Sequence, residues 1–470
     1  MIVMKFGGTS VGTGERIAGV ARIAGRVLTE RGTPPVVVVS AMSGVTDGLV
    51  RAATTAASGD THTYQLIRDE LALRHEQAIG DCGIDSELAR GLKAEIETLL
   101  NWFENLCHSI STLGELTPRG LDAVSALGER LSARLTTAAL LSQGIKAHLV
   151  EATEVIVTDN AFGAASPLIA ETTAKAQEIL LPLIEQGVVP VVTGFIGATV
   201  EGIPTTLGRG GSDYSATILG SCLPAREVWI WTDVDGIMTA DPRIVPDART
   251  VERISYAEVA ELSYFGAKVL HPKTIEPVAR RGIPVRVLNA RRPDHPGTLV
   301  CANGAPEPVV KAITAIRNLS LISVEGSGMQ GVPGVAGRAF MAVARSNASI
   351  LMITQSSSEQ NICFVVRTVD SPAVVQAVKA EFELEMLHQD IDRVASQDDV
   401  AIMAVVGAGM KGVPGIAARV FSALANVGIN IISIAQGSSE YNLSLVVVQK
   451  DVDEAVRATH REFALDRIAQ

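Results

Sequence analysis

The chain contains several short stretches with residue types suited to phosphate and carboxylate chemistry. Lys5-Phe6-Gly7-Gly8-Thr9-Ser10 directly follows an apolar run. Its paired glycines let the backbone bend so that amide N–H groups face an anion, and Lys5 adds a point charge beside them. A tight strand-to-helix turn with a surface lysine would look the same, and the Walker pattern G-x-x-x-x-G-K-[ST] is absent. Ser40-Ala41-Met42-Ser43-Gly44-Val45-Thr46-Asp47 places hydroxyls after the buried run Val36–Val39, at the strand end where open α/β sheets bind ligands. Helix capping by Ser43 or Thr46 accounts for those hydroxyls equally simply.

Thr205-Thr206-Leu207-Gly208-Arg209-Gly210-Gly211-Ser212-Asp213-Tyr214-Ser215 is more specific. Arg209 sits among three glycines, where the backbone can approach a ligand closely and a guanidinium fork suits a carboxylate or phosphate. Ser212 and Asp213 precede a small-residue helix expected to begin near Ser215, which aims a helix N-terminus at the same place. A capped helix after a flexible loop leaves the arginine unexplained.

Thr232-Asp233-Val234-Asp235-Gly236-Ile237, continuing to Asp241-Pro242-Arg243, follows another buried run. Its groups suit Mg²⁺, ribose or adenine, or simply an Asx turn at Asp235-Gly236. In Phe265-Gly266-Ala267-Lys268-Val269-Leu270-His271-Pro272, Lys268 is either a phosphate ligand or a solvated lysine. Glu129 interrupts an apolar helical face; taken alone it reads as an exposed or ion-paired glutamate.

The elements that must position these residues are visible as pattern. Val3–Phe6, Val36–Ser40, Val188–Thr193, Val228–Thr232 and Val285–Leu288 are short β-branched runs bounded by Gly, Pro or Ser. Helical periodicity fills the intervals, as in Glu15–Glu30 and Ser125–Leu141. Apolar strands alternating with helices predict an α/β fold, a mainly parallel sheet covered on both faces. Residues 61–113 are charged and helix-prone, a helical excursion from that sheet. Clustered Pro and Gly at Arg291–Pro308 suggest a linker.

Beyond it the chain repeats itself. GSGMQGVPGVAGRAF from Gly326 returns as GAGMKGVPGIAARVF from Gly407, and SILMITQSSSEQNICFVV from Ser349 as NIISIAQGSSEYNLSLVV from Asn430, at one constant spacing. Two copies are too few for a solenoid, so a packed pair of small α+β domains is expected, with first strands near Leu319–Glu325 and Val400–Val406 and helices near Gly334–Ser346 and Gly415–Val427.

Composition narrows the classes. With 47% hydrophobic and 19% charged residues the chain buries large cores, and with 4% aromatics those cores are aliphatic. A net charge of -11 disfavours sequence-independent nucleic-acid binding. Five cysteines without a C-x-x-C pair read as reduced thiols. The N-terminus has no signal-peptide h-region, and the apolar stretch near Gly187–Val200 is too short and Gly/Pro-interrupted to span a bilayer. A cytoplasmic protein without a membrane partner is expected.

KFGGTS, VSAMSGVTD, SALGERLSA, VVTGFIG, TTLGRGGSDYSAT, WTDVDGIMTADPR and FGAKVLHP occur in the order seen in aspartokinases of the amino acid kinase family, and the repeat resembles their paired ACT domains. The resemblance runs from about residue 2 to about 450. It implies an amino-acid-kinase αβα sandwich over residues 1–305 and two βαββαβ ACT-like domains over 315–392 and 398–470. It further implies transfer of phosphate from ATP, with Mg²⁺, to the β-carboxylate of L-aspartate, the first step toward lysine, threonine and methionine. The metal ligands are not implied.

By motif position, Lys5, Phe6, Gly7 and Gly8 would hold ATP phosphates. Thr232, Asp233, Arg243, Lys268 and Val269 would serve the nucleotide. Ser40, Thr46, Glu129, Arg209 and Asp213 would hold aspartate, with Arg209 on its α-carboxylate. Lys5, Lys268 and Asp213 would take part in catalysis. A tyrosine found six residues after the threonine of the TD pair in some relatives is Met238 here. Gln355 and Gln436 occupy equivalent places in the repeat and would contact an inhibitory amino acid, threonine being favoured and lysine the alternative. A homodimer or homotetramer is expected, because ACT modules pair across subunits.

The acceptor is already anionic at neutral pH, so no general base is required, in keeping with the lack of any obvious Ser-His-Asp arrangement. Competing readings are a relative acting on glutamate, acetylglutamate, carbamate or a nucleotide, and a silent amino-acid sensor. A fused homoserine dehydrogenase is not expected, since no dinucleotide-binding segment appears by Gln470.

Overall fold

The computed structural model describes residues 1–266, 270–356 and 359–467. Contacts divide the chain into two compact units, one of Met1–Ile237, Glu252–Tyr256 and Val269–Gly304, the other of Met238–Val251, Ala257–Lys268 and Ala305–Gln470.

The first unit holds β1 (Ile2–Phe6), β2 (Val36–Val39), β3 (Ala147–Val150), β4 (Val189–Thr193), β5 (Ile196–Ala198), β6 (Pro204–Thr206), β7 (Glu227–Thr232), β8 (Arg253–Ser255), β9 (Val285–Asn289) and β10 (Thr298–Cys301). An eight-stranded sheet runs β3-β4-β2-β1-β7-β9-β10-β8, while β5 and β6 form a separate hairpin. The six strands from β3 to β9 are parallel, and β10 turns antiparallel against β9. Every residue of β1 and β2 is buried, the consequence of helices on both faces. The helices Gly14–Arg31 and Leu127–Ser142 pack their apolar stripes into one aliphatic core with Met4, Phe6, Val37 and Val39. Thr13 caps the first of them and left-handed Gly32 ends it.

The charged excursion is two long helices, Thr61–Asp81 and Ser86–Leu113, each N-capped by an aspartate, Asp60 and Asp85. Three expectations need correction. The helix after Arg209 begins at Gly211, not near Ser215. The periodic stretch 125–141 spans the end of one helix, Pro118–Ser125, and the next, because the helical hydrogen bonding loosens at Ala126, whose carbonyl meets the Arg130 N–H only at 3.5 Å. The Pro/Gly-rich stretch 291–308 contains β10, so part of the expected linker belongs to the sheet.

The second unit contains β11 (Ala312–Glu325), β12 (Met352–Gln355), β13 (Asn361–Arg367), β14 (Arg393–Val406), β15 (Ser433–Gln436) and β16 (Asn442–Val448). They form one antiparallel sheet ordered β12-β13-β11-β14-β16-β15. β11 and β14 are twice the expected length. The first part of β11, from Ala312 to Ile316, pairs with Ile402–Val406, and its second part, from Leu321 to Glu325, pairs with Arg393–Gln397, with register shifts between. Each repeat thus borrows an edge from the other's leading strand, and pairing crosses the expected module boundary at 392–398. The helices Val335–Arg345 and Ile416–Asn426 occupy matching places, each started by a left-handed glycine, Gly334 and Gly415.

Candidate functional site

β1, β2, β4 and β7 all end toward one edge of the parallel sheet, so the loops after them converge. There the first unit opens a cleft of about 560 Å³. Lys5, Gly8, Ser40, Thr46, Glu129, Arg209 and Asp213 all line it.

Strand alternation sends Phe6 and Lys5 to opposite faces. Phe6 is buried in the core, stacked on Trp231 at 5.7 Å, so only its backbone can meet a ligand. Lys5, 8% exposed, turns the other way, and its Nζ lies 2.6 Å from Asp213 Oδ1. Gly7 donates its N–H to the Trp231 carbonyl at 3.1 Å and does not line the cleft. Gly8 touches the next loop so closely that a Cβ there would lie 2.9 Å from the Ala41 carbonyl oxygen.

Glu129 is buried, and it makes no ion pair among the described residues. It stands in the first turn of the helix Leu127–Ser142, 3% exposed, with Oε1 accepting the Ala41 N–H at 3.1 Å. Oε2 is buried and has no hydrogen-bond partner among the described residues. Burial pushes the carboxyl up to about 8; the Ala41 N–H and the charge of Lys5 oppose that rise only in part.

Arg209 is exposed at the cleft between Gly208 and Gly210, whose φ angles of 77° and 69° lie in the left-handed region that favours glycine. Its guanidinium makes no ion pair among the described residues. Gly211 then starts a 12-residue helix that brings Ser212 and Asp213 to the same cleft with its N-terminus.

Other expected residues lie elsewhere. Thr232, at the end of β7, donates to Asp233 Oδ1 at 3.3 Å, and neither residue lines the cleft. Arg243 lies in the second unit, its fork held by Asp241 at 2.6 Å. Met238 also belongs to that unit, and its sulfur accepts from Thr250 at 3.6 Å. Lys268 and Val269 fall outside the described residues.

Several lining residues carried no expected ligand role. Phe195 lines the cleft with a φ of 68°, and its neighbour Gly194 is held so close to Val39 and Ser212 that a Cβ would overlap both. The glycine-aromatic pair in VVTGFIG was the available signal. Ser43, Gly44 and Asp47 complete the β2 loop. Arg74, from the helical excursion, donates to the Ser43 carbonyl at 2.7 Å and the Gly12 carbonyl at 3.3 Å, fastening the two loops. Nothing local in a charged helix marks it.

The second unit has its own cavity, of about 400 Å³, lined by Thr354, Gln355, Ser356, Asn361, Cys363 and the run 431–434. Gln355 lines it; Gln436, its counterpart in β15, does not. Thr354 donates to the Ile434 carbonyl at 3.2 Å, joining the two repeats there.

Comparison with known proteins agrees with both halves. The amino acid kinase family model matches residues 1–289, and an ACT domain model matches 322–382 and 403–463. The chain is 39% identical to the bifunctional aspartokinase/homoserine dehydrogenase 1 of Zea mays, over 99% of this chain and 50% of that protein. It spans about half the length of such curated relatives. With aspartokinase 2 of Arabidopsis thaliana it shares 32% identity over 98% of this chain and 84% of that one. Among solved structures, E. coli aspartokinase III in complex with aspartate and ADP is similar with a TM-score of 0.80 and 32% identity, over 98% of this chain and 99% of that one. The same enzyme has been solved with lysine and aspartate.

Proposed function

Since the chain belongs to the amino acid kinase family, as an aspartokinase-like member with two ACT domains, we propose that it transfers the γ-phosphoryl group of ATP to the β-carboxylate of L-aspartate. The products are 4-phospho-L-aspartate and ADP. The observation that carries this reading is the convergence of Lys5, Glu129, Arg209 and Asp213 on one cleft.

Both reactants are anions, so their mutual repulsion is the main obstacle. Lys5, the Gly8 amide and the amide groups of the helix starting at Gly211 supply the offsetting positive potential. Arg209, free of an internal ion pair among the described residues, is suited to the α-carboxylate by its planar fork. The unpartnered Oε2 of Glu129 is suited to the α-ammonium, whose arrival would favour the carboxylate over the buried acid. With both ends of the amino acid held, the side-chain carboxylate is left to meet phosphorus in line.

Among the described residues no three His, Cys, Asp or Glu side chains converge as a metal cage. Asp47 is an exposed carboxylate on the cleft, and such a donor set suits Mg²⁺, which needs only one or two protein carboxylates beside nucleotide phosphates. Mg²⁺ held there would offset the negative charge that develops on the phosphates during transfer. Thr232, Asp233, Arg243, Lys268 and Val269 remain part of this proposal as nucleotide contacts.

Threonine is the proposed feedback inhibitor, through Gln355 and Gln436, with lysine as the competitor. The second cavity's described lining is neutral and polar or apolar, without a carboxylate to receive a lysine ammonium. The effector acts by favouring one of two arrangements of the protein, which we take to be a homodimer or homotetramer. In the cell the protein would serve the pathway toward lysine, threonine and methionine in the cytoplasm; among the described residues no helix is long and apolar enough to cross a membrane.

The test is a panel of acceptors with ATP and Mg²⁺: L-aspartate, L-glutamate, N-acetyl-L-glutamate and carbamate. ADP release specific to aspartate is expected. Preference for another acceptor would replace the substrate, and no turnover with any would favour a sensor without catalysis.

A further inference from the structure

Asp122 lies in the short helix Pro118–Ser125, and only 1% of it is exposed. Its carboxylate gathers three donors from two distant segments. Oδ2 accepts the Gly163 N–H at 2.9 Å and the Thr206 N–H at 3.0 Å, while Oδ1 accepts the Thr206 hydroxyl at 2.6 Å. A buried carboxylate is retained at little cost only when its lone pairs are filled in this way.

Thr206 leads into the cleft-lining run that starts at Gly208, and the Gly163 segment packs against that run. Thr206 ends β6, three positions before Arg209, and its carbonyl accepts the Ala165 N–H at 2.9 Å. The Gly163–Ala164 segment in turn limits Gly208: a Cβ there would lie 3.1 Å from the Gly163 carbonyl oxygen and 3.4 Å from Ala164 Cα. The Arg209 loop is therefore fixed on its leading side by Asp122 and by the segment that Asp122 holds. Asp122 also stands in the helix immediately before the one that carries Glu129, which begins at Leu127.

We propose that Asp122 is a positioning residue for substrate selection: it sets the distance between Arg209 and Glu129, and so makes the cleft read an α-carboxylate and an α-ammonium at one fixed separation. This rests on the aspartate-kinase reading above. Asp122 touches neither reactant. Its removal strands the buried Thr206 N–H, releases the Gly163 N–H and frees the Arg209 loop, so the loss falls on recognition of the α-carboxylate.

The experiment compares kcat/KM for L-aspartate and for its α-amide, which keeps the ammonium and the β-carboxylate but has no charge for Arg209 to read. Wild type should prefer aspartate strongly. In Asp122→Ala that preference should fall about tenfold or more, with KM for ATP changed less than threefold. Asp122→Asn should restore most of it, because its amide oxygen can accept both N–H groups while its NH₂ faces the Thr206 hydroxyl. Thr206→Val, which removes one donor and leaves the backbone bonds, should shift the preference the same way by a smaller factor, and it serves if Asp122→Ala does not fold. Equal losses for both substrates in Asp122→Ala and in Thr206→Val would overturn the proposal, leaving Asp122 a stabilising residue only. A wild-type enzyme inactive on aspartate would instead overturn the functional reading beneath it.

Discussion

The Lys5 ammonium stands 2.6 Å from the Asp213 carboxylate, tying the end of β1 to the first turn of the helix Gly211–Cys222. The two side chains are 10% and 18% exposed, so the pair is shielded without being sealed. It keeps the lysine aimed along the cleft before any substrate arrives, and it keeps a positive charge from standing alone in a partly buried site. On the proposed reading, phosphate entering beside Gly8 would meet a cation already in place.

Lys5→Ala should lower kcat by roughly 10²–10³, the usual loss when one electrostatic partner of a transition state is removed. KM for aspartate should change only a few-fold, because Arg209 and Glu129 are untouched. Steady-state kinetics on the purified variant decides it, and near-normal turnover would refute the role.

Aspartate binding should strengthen with rising pH. Burial holds the Glu129 carboxyl up at about 8, so in the empty cleft it is mostly neutral at pH 6 and mostly ionised at pH 9. Only the ionised form attracts the substrate ammonium. The apparent affinity should therefore climb below pH 8, by up to about tenfold per unit for one coupled proton, and level off above it. Glu129→Gln should bind weakly with a flat profile. A flat wild-type profile between pH 6 and 9 would contradict the assignment.

Arg209→Lys should fail to rescue Arg209→Ala. A lysine keeps the charge but presents no planar fork, and hydrogen bonds to charged groups are each worth about 1.5–3 kcal/mol. Both variants should lose roughly 10–100-fold or more in kcat/KM for aspartate, mainly through KM. Recovery in the lysine variant would mean that charge alone suffices.

Gln355→Ala should leave basal turnover intact and raise the threonine concentration needed for half inhibition at least tenfold, since its amide lines the second cavity. Dose–response curves with threonine and lysine, on wild type and variant, measure this. Inhibition by lysine alone would make lysine the effector.

How much of this was legible in the sequence depended on distance along the chain. Arg209 within its glycines, Asp213 two residues into the following helix and Lys5 at a strand end all announce themselves locally. Glu129 does not, because its burial comes from the Ala41 loop, 88 positions away, which packs against it. Arg74 and Asp122 were missed for the same reason, with partners 31 and 84 positions distant. In the repeat, matching segments reveal two modules, but not that β11 and β14 each run through both; nothing in a short β-branched run says where its pairing ends. Short strands such as β3 and β10 were hidden by mixed polar residues and by flanking Pro and Gly.

Trapping the product with hydroxylamine tests the central claim most directly. With ATP, Mg²⁺ and L-aspartate, an acyl phosphate is captured as aspartyl hydroxamate. The account predicts hydroxamate that requires both ATP and aspartate and that falls at least a hundredfold in Lys5→Ala. Wild-type protein that binds both reactants yet yields no ATP-dependent hydroxamate would contradict it.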